Sequence, residues 1–163
     1  MSRWRPRLPR STAIITREGY DALERELKSL WAKRRIVNDA LAAAAAEGDR
    51  SENAEYIYRK KEQAGIDRRI RYLQKRMPDL KIASQVGDKS KVFFSAIVEL
   101  EKEDASLVTY RIVGPDETNT KNGDISIDSP LAKVLLKKQV DDEVSITINN
   151  KDSFYTIISI RYA

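Results

Sequence analysis

The 163-residue sequence carries 30 Lys and Arg against 25 Asp and Glu, and it contains neither cysteine nor histidine. That composition excludes disulfides, the usual zinc sites, and nucleophile systems built on Cys-His or Ser-His-Asp. A catalytic metal would have to be a hard ion held by carboxylates, with magnesium or manganese the natural choice. Charged residues make up 34%, above the ~25% of ordinary domains, so part of the chain is expected to have a high surface-to-core ratio. No apolar run approaches the ~18 residues of a membrane span. The absence of cysteine is compatible with a reducing cytoplasm.

The N-terminus, MSRWRPRLPRSTA, has four arginines and no acid in its first ten residues. It lacks the apolar stretch of a secretory signal, and residues 1–14 read as a basic, flexible arm. Residues 17–79 carry 15 basic and 12 acidic side chains, whereas residues 80–163 carry 11 and 13. The basic character belongs to the N-terminal half, which makes a nucleic-acid partner worth considering.

After Thr16, an N-cap candidate, Tyr20, Leu23, Leu27, Leu30, Arg34, Val37 and Leu41 follow steps of three and four. That spacing is a heptad seam with one polar position. Ala42 to Ala46 prolong the helix, and Gly48 is placed to end it. A second helix is expected to start at Ser51 as N-cap. It is expected to bury Ile66, Ile70, Leu73 and Met77, with the polar Gln63, Arg59 and Tyr56 continuing the seam backwards. Pro78 stops it. Residues 15–80 thus read as an antiparallel helical hairpin, or coiled coil. Each helix would have roughly 25–30 residues, giving a rod about 40–45 Å long.

The stretch joining the helices, EGDRSENAEY, holds Glu47, Asp49, Glu52 and Glu55. With Ser51 as cap, Glu52 would lie in the first helical turn, where a carboxylate is favoured. Spaced three apart, Asp49 and Glu52 could share one magnesium ion and leave other ligands to a partner. The same residues suit plain capping and solubility. From Tyr56 to Arg76 there are eight basic and two acidic residues, while residues 17–48 have six of each. One helix of the rod is therefore strongly basic. It reads as a solvated face or as a track for a phosphate backbone, with tyrosines available to stack on bases.

Beyond Pro78 the runs VFFSAIVELE, SLVTYRIVG, DISID, VSITI and FYTIISIRY have the β-branched and aromatic content of strands. SPLAKVLLKK, residues 129–138, reads as a helix with Ser129 as N-cap and Pro130 at its first position. Residues 81–163 are expected to be a small antiparallel sheet with one helix, so that the chain is α+β.

GDRSENAEY, IDRRIRYL, VFFSAIVELE, RIVG and ISIDSPLAKVLLKK together resemble the Gre family of bacterial transcript-cleavage factors from about Ile15 to Tyr162. Arg59-Lys60-Lys61 and DRRIRYL favour its GreB branch. The resemblance implies an FKBP-like C-terminal domain that docks on bacterial RNA polymerase, and a coiled coil that enters the enzyme's secondary channel. The factor would not be an enzyme itself. Asp49 and Glu52 would hold a magnesium ion jointly with the polymerase and help its active site hydrolyse the backtracked RNA 3′ segment. Arg59, Lys60, Lys61, Arg68 and Arg69 would contact that RNA, and Gly48, Ser51, Asn53, Glu55 and Tyr56 would support the tip. The resemblance also implies a cytoplasmic protein, and a monomer is expected. An alternative is a channel-binding regulator that tunes polymerase without inducing cleavage.

Overall fold

Helix α1 runs from Arg17 to Ala46 and helix α2 from Ala54 to Arg76. They are seen in a computed structural model that describes residues 9–47 and 53–163. Cross-helix pairs give their direction. Asn53 bonds to Ala44, Gln63 to Asn38, Arg34 to Asp67 and Arg69 to Glu26, so one number falls as the other rises. This is the antiparallel hairpin the heptads predict. Val37, Ile66 and Ile70 form its buried cluster, with Leu27 and Leu30 packed against it. Leu23, Leu73 and Met77 are buried as well.

The helices differ in length. α1 has 30 residues and α2 has 23, so α2 falls short of the expected range because it begins two residues later than a Ser51 cap would allow. A 3-10 turn over Met77–Asp79 ends α2, with Pro78 at its start.

The rest of the chain gathers into a second unit, Met1–Thr16 with Lys81–Ala163, distinct from the hairpin unit Arg17–Leu80. Its main sheet has five strands: β3 (Ile97–Lys102), β4 (Leu107–Val113), β5 (Asp124–Ser126), β6 (Glu143–Ile148) and β7 (Lys151–Arg161). Their order is β5-β4-β3-β7-β6. The α+β class holds, but one pairing departs from the antiparallel expectation. β5 runs parallel to β4, pairing Arg111 with Asp124 and Val113 with Ser126, so the sheet is mixed. The β6–β7 connection is the two-residue Asn149-Asn150 turn. Both residues have positive φ, as tight hairpin turns of the I′ kind require.

The core of this unit joins Val98, Leu100, Ile112, Val144 and Ile157 of the sheet to Leu131, Ala132 and Leu135 of α3. Helix α3 covers Pro130–Leu135, with Ser129 as N-cap accepting from the Ala132 amide. It is shorter than residues 129–138. Lys137 takes a left-handed φ of 69°, and its amide donates to the Val92 carbonyl at 2.7 Å. VFFSAIVELE is likewise not one strand. Ser95 has φ 71°, and β3 starts at Ile97.

A small parallel pair that the sequence reading missed, β1 (Ile14–Ile15) and β2 (Lys81–Ile82), completes this unit. The expected basic arm is described from Pro9 onward. There Thr12 donates its amide to Asp128 at 2.8 Å, and its hydroxyl bonds to the same carboxylate. Thr16 donates its amide and hydroxyl to Glu117 at 2.7 and 2.6 Å.

Candidate functional site

The acidic connector between the helices is bracketed by one residue that serves both ends. Asn53 Oδ1 accepts from the Tyr56 amide at 3.2 Å and so caps α2. Its Nδ2 donates to the Ala44 carbonyl of α1 at 2.8 Å. A side-chain amide can do both because it has an acceptor and donors at one end. The cap expected at Ser51 is therefore corrected. α2 begins at Ala54, so Glu52 stands ahead of the cap and Glu55 is the acid in the first turn. Gly48, Asp49, Ser51 and Glu52 lie outside the described residues. Among the described residues, no group of three or more acids is placed to hold a metal.

Towards the connector the seam loses apolar bulk, as the alanine run predicts. Gln63 bonds to Asn38 in place of an apolar pair. Asn38, Leu41, Ala45 and Tyr56 line a shallow cleft with Gln63. The polar seam position is also satisfied: Arg34 Nε meets Asp67 at 2.7 Å.

The basic residues of α2 separate into two sets. Arg59 is held by its own helix, with Nε 2.8 Å from Glu55 and Nη1 3.0 Å from Glu62. The hydrogen bond it donates to Glu55, and then the one it donates to Glu62, raise its pKa from the ordinary value. Arg69 reaches across to α1 and takes Glu26 in a bidentate pair at 2.6 and 3.0 Å, with Tyr72 under its guanidinium at 5.4 Å. Both arginines lie in or beside the helix–helix contact, so of the five expected contacts these two have structural partners.

Lys60, Lys61 and Arg68 are exposed and form no ion pair among the described residues. At 100° per residue they fall on the solvent side of α2, within an arc of roughly 100° opposite Ile66, Ile70 and Leu73. Arg71 and Lys75 fall in the same arc and are also exposed. The basic count included them, but the expected contact set did not. A helical projection of the basic residues was the signal that finds them. From Lys61 to Lys75 the stripe runs about 21 Å. Ile57 and Tyr72, both 43% exposed, lie within or beside it. Positive charge with interleaved flat or apolar groups suits a single strand, whose phosphates meet the cations and whose bases meet the rings.

A helical hairpin with a cationic outer stripe, joined in sequence to a small α+β unit with a mixed sheet, is the class of protein the fold defines. The comparisons give its family. Residues 13–82 match the family model for the N-terminal part of transcription elongation factors GreA and GreB, and residues 87–162 match that for their C-terminal part. The chain belongs to the Gre family of transcription elongation factors. It is 55% identical over 166 residues to transcription elongation factor GreB of Xanthomonas axonopodis pv. citri, spanning 100% of this chain and 99% of that one. It is 51% identical to the GreB of Yersinia pestis, over 91% of this chain and 88% of the relative. Against the GreB of Pseudomonas aeruginosa it is 47% identical over 99% and 98%. A solved structure of the transcription factor Gfh1 matches with a TM-score of 0.46 at 23% identity, over 94% of this chain and 99% of that one.

Proposed function

We propose that this chain binds bacterial RNA polymerase, enters its secondary channel with the helical hairpin, and stimulates the polymerase's own endonucleolytic cleavage of the backtracked RNA 3′ segment. It acts in the cytoplasm as an accessory factor, without an active site of its own. Asp49 and Glu52, hard oxygen donors, would hold a magnesium ion jointly with ligands from the polymerase. When bound, that ion activates water and neutralises charge at the phosphodiester. The chain's own residues position and hold. Asn53 ties the connector's two flanking helices together. Lys60, Lys61 and Arg68 offer their charges to the RNA phosphates, with Arg71 and Lys75 continuing the track.

The observation that carries this reading is the partition of cations on α2. Arg59 and Arg69 are paired with acids, while the exposed set forms one stripe opposite the buried seam and begins a few residues after the acidic connector. The test is a backtracked polymerase complex with labelled RNA, incubated with magnesium and with or without the protein. Shortened RNA with a new, extendable 3′ end is the expected result. Slower elongation with full-length RNA would instead make the chain a channel-binding regulator.

A further inference from the structure

One polar position, Arg34, interrupts the apolar seam of α1, and its contacts give it a second task. Its Nε donates to Asp67 of α2 at 2.7 Å. Its guanidinium lies over the Trp31 ring, 5.9 Å from the centroid. Asp67 thus holds the cation, and the cation backs the indole in a cation–π contact. The ring is still 40% exposed. A flat ring held by a fixed neighbour and open to solvent is a ready platform for stacking.

Cations surround this ring. Lys28 lies three residues before Trp31 and Arg35 four residues after it, so the three share one flank of α1. Both cations are exposed and form no ion pair among the described residues. The Arg34–Asp67 bond also sets the register across the hairpin. Trp31 is three residues back from Arg34, and Arg71 is four residues on from Asp67. In an antiparallel pair the two therefore stand on the same edge at about the same level. Arg71 is exposed and belongs to the cationic stripe of α2. The opposite edge differs in kind, because there Arg69 is taken by Glu26 and lies over Tyr72.

We propose that Trp31, backed by Arg34 and flanked by Lys28, Arg35 and Arg71, binds one nucleotide of the extruded RNA strand. The base stacks on the indole, and the phosphates on either side meet the three flanking cations. The proposal rests on the RNA-cleavage reading above and deepens it. It carries the RNA path from α2 onto α1, a helix region whose six basic and six acidic residues over 17–48 balance. An open ring among unpaired cations is the combination that suits a single strand, since every base has a face to stack and every linkage a charge to neutralise. Arg71 makes the site continuous with the α2 stripe. About 22 Å of helix axis separates Trp31 from Ala46, the end of α1. A short extruded RNA therefore ends before the ring, and a long one reaches it.

The test uses polymerase complexes backtracked to expose either a short or a long RNA segment, with photoreactive bases along that segment. The full-length protein is added as wild type, Trp31→Leu, Trp31→Phe, or Lys28→Glu with Arg35→Glu. Leucine keeps apolar bulk without a flat face, whereas phenylalanine keeps a ring. On long RNA, Trp31→Leu and the charge reversal are expected to raise the factor concentration for half-maximal cleavage at least about fivefold, the lower end of what one stacked base contributes. Trp31→Phe should recover most of that loss. On short RNA the variants should stay close to wild type. Irradiation without magnesium, which leaves the RNA intact, should crosslink the long segment to α1, and Trp31→Leu should weaken the crosslink at equal factor occupancy. Wild-type behaviour of Trp31→Leu on long RNA, with an unchanged crosslink, would overturn the proposal and leave the cleavage reading standing. An equal loss on short and long RNA, matched by weaker binding to polymerase free of nucleic acid, would overturn it in favour of a polypeptide contact. A wild-type chain that stimulates cleavage in neither complex would remove the proposal and the reading beneath it together.

Discussion

At the scale of single residues, Asn53 is the most informative side chain of the hairpin, because one amide caps α2 and bonds to α1. Losing an N-cap costs about 1 kcal/mol, and the orphaned Ala44 carbonyl adds a comparable amount. Asn53→Ala is expected to lower stability by about 1–2 kcal/mol, read from urea unfolding followed by helical circular dichroism. An unchanged midpoint would contradict the cap.

The paired and exposed cations should likewise behave differently. Arg69→Ala loses the pair with Glu26, a half-exposed bridge worth about 0.5–1 kcal/mol, and should show mainly in hairpin stability. Lys61→Glu with Arg68→Glu should leave the unfolding midpoint unchanged and reduce crosslinking of the helix to RNA in a backtracked complex. The reverse pattern would exchange the two roles. The sequence showed which residues are basic and that α2 outweighs α1. It could not show that Glu26 reaches Arg69, because that pair lies 43 positions apart in the chain and depends on helix register. Ser51 was preferred as the cap for a similar reason. Ser and Asn are nearly equal as N-caps, and the bond from Asn53 to the Ala44 carbonyl of the other helix is not visible in the local sequence.

At the scale of elements, periodicity was a good guide where an element has one buried face. The seams of α1 and α2, the capped start of α3 and the strand content of the C-terminal half were all legible that way. What the sequence hid is set by contacts with distant chain. β1 has two residues, too short for any pattern, and exists because Lys81–Ile82 pairs with it. Gly114 marks a second approach to β1, from the end of β4. A Cβ there would stand 2.0 Å from the Ile14 carbonyl oxygen, so backbone runs against backbone. Gly114→Ala must displace β1 and is expected to cost about 3 kcal/mol, seen as a lower thermal midpoint. A cost below about 0.5 kcal/mol, the range of neutral surface changes, would contradict that packing.

Glu117 fastens the neighbouring residue Thr16. Burial pushes its carboxyl up from the ordinary value, against the lowering effect of the two Thr16 donors. The folded chain thus holds this proton more tightly than the unfolded chain. The associated stabilisation is full below the unfolded carboxylate pKa and is lost as pH rises through the raised folded value. Glu117→Gln removes that slope. Its stability relative to wild type should improve as pH rises from the ordinary carboxylate range through the raised folded value, measured by urea midpoints across a pH series. A flat difference would contradict the assignment.

At the scale of the whole molecule, the two units carry different features. The hairpin unit carries the acidic connector and the cationic stripe, and its slim seam near the connector keeps the rod narrow. The C-terminal unit, which also takes in the segment before Thr16, carries the five-stranded sheet and α3. The composition shift at Pro78 made two halves visible in the sequence. It did not reveal that residues before the hairpin belong with residues after it, because that depends on the pairing of Ile14–Ile15 with Lys81–Ile82.

The central claim is that the connector's two carboxylates complete the polymerase's active site. The most direct measurement follows labelled RNA in a backtracked complex treated with wild type, Asp49→Ala or Glu52→Ala, with factor occupancy measured in the same samples. The account predicts that each variant occupies the complex as wild type does and that cleavage falls by two orders of magnitude or more. Cleavage at the wild-type rate in both variants, at equal occupancy, would contradict it.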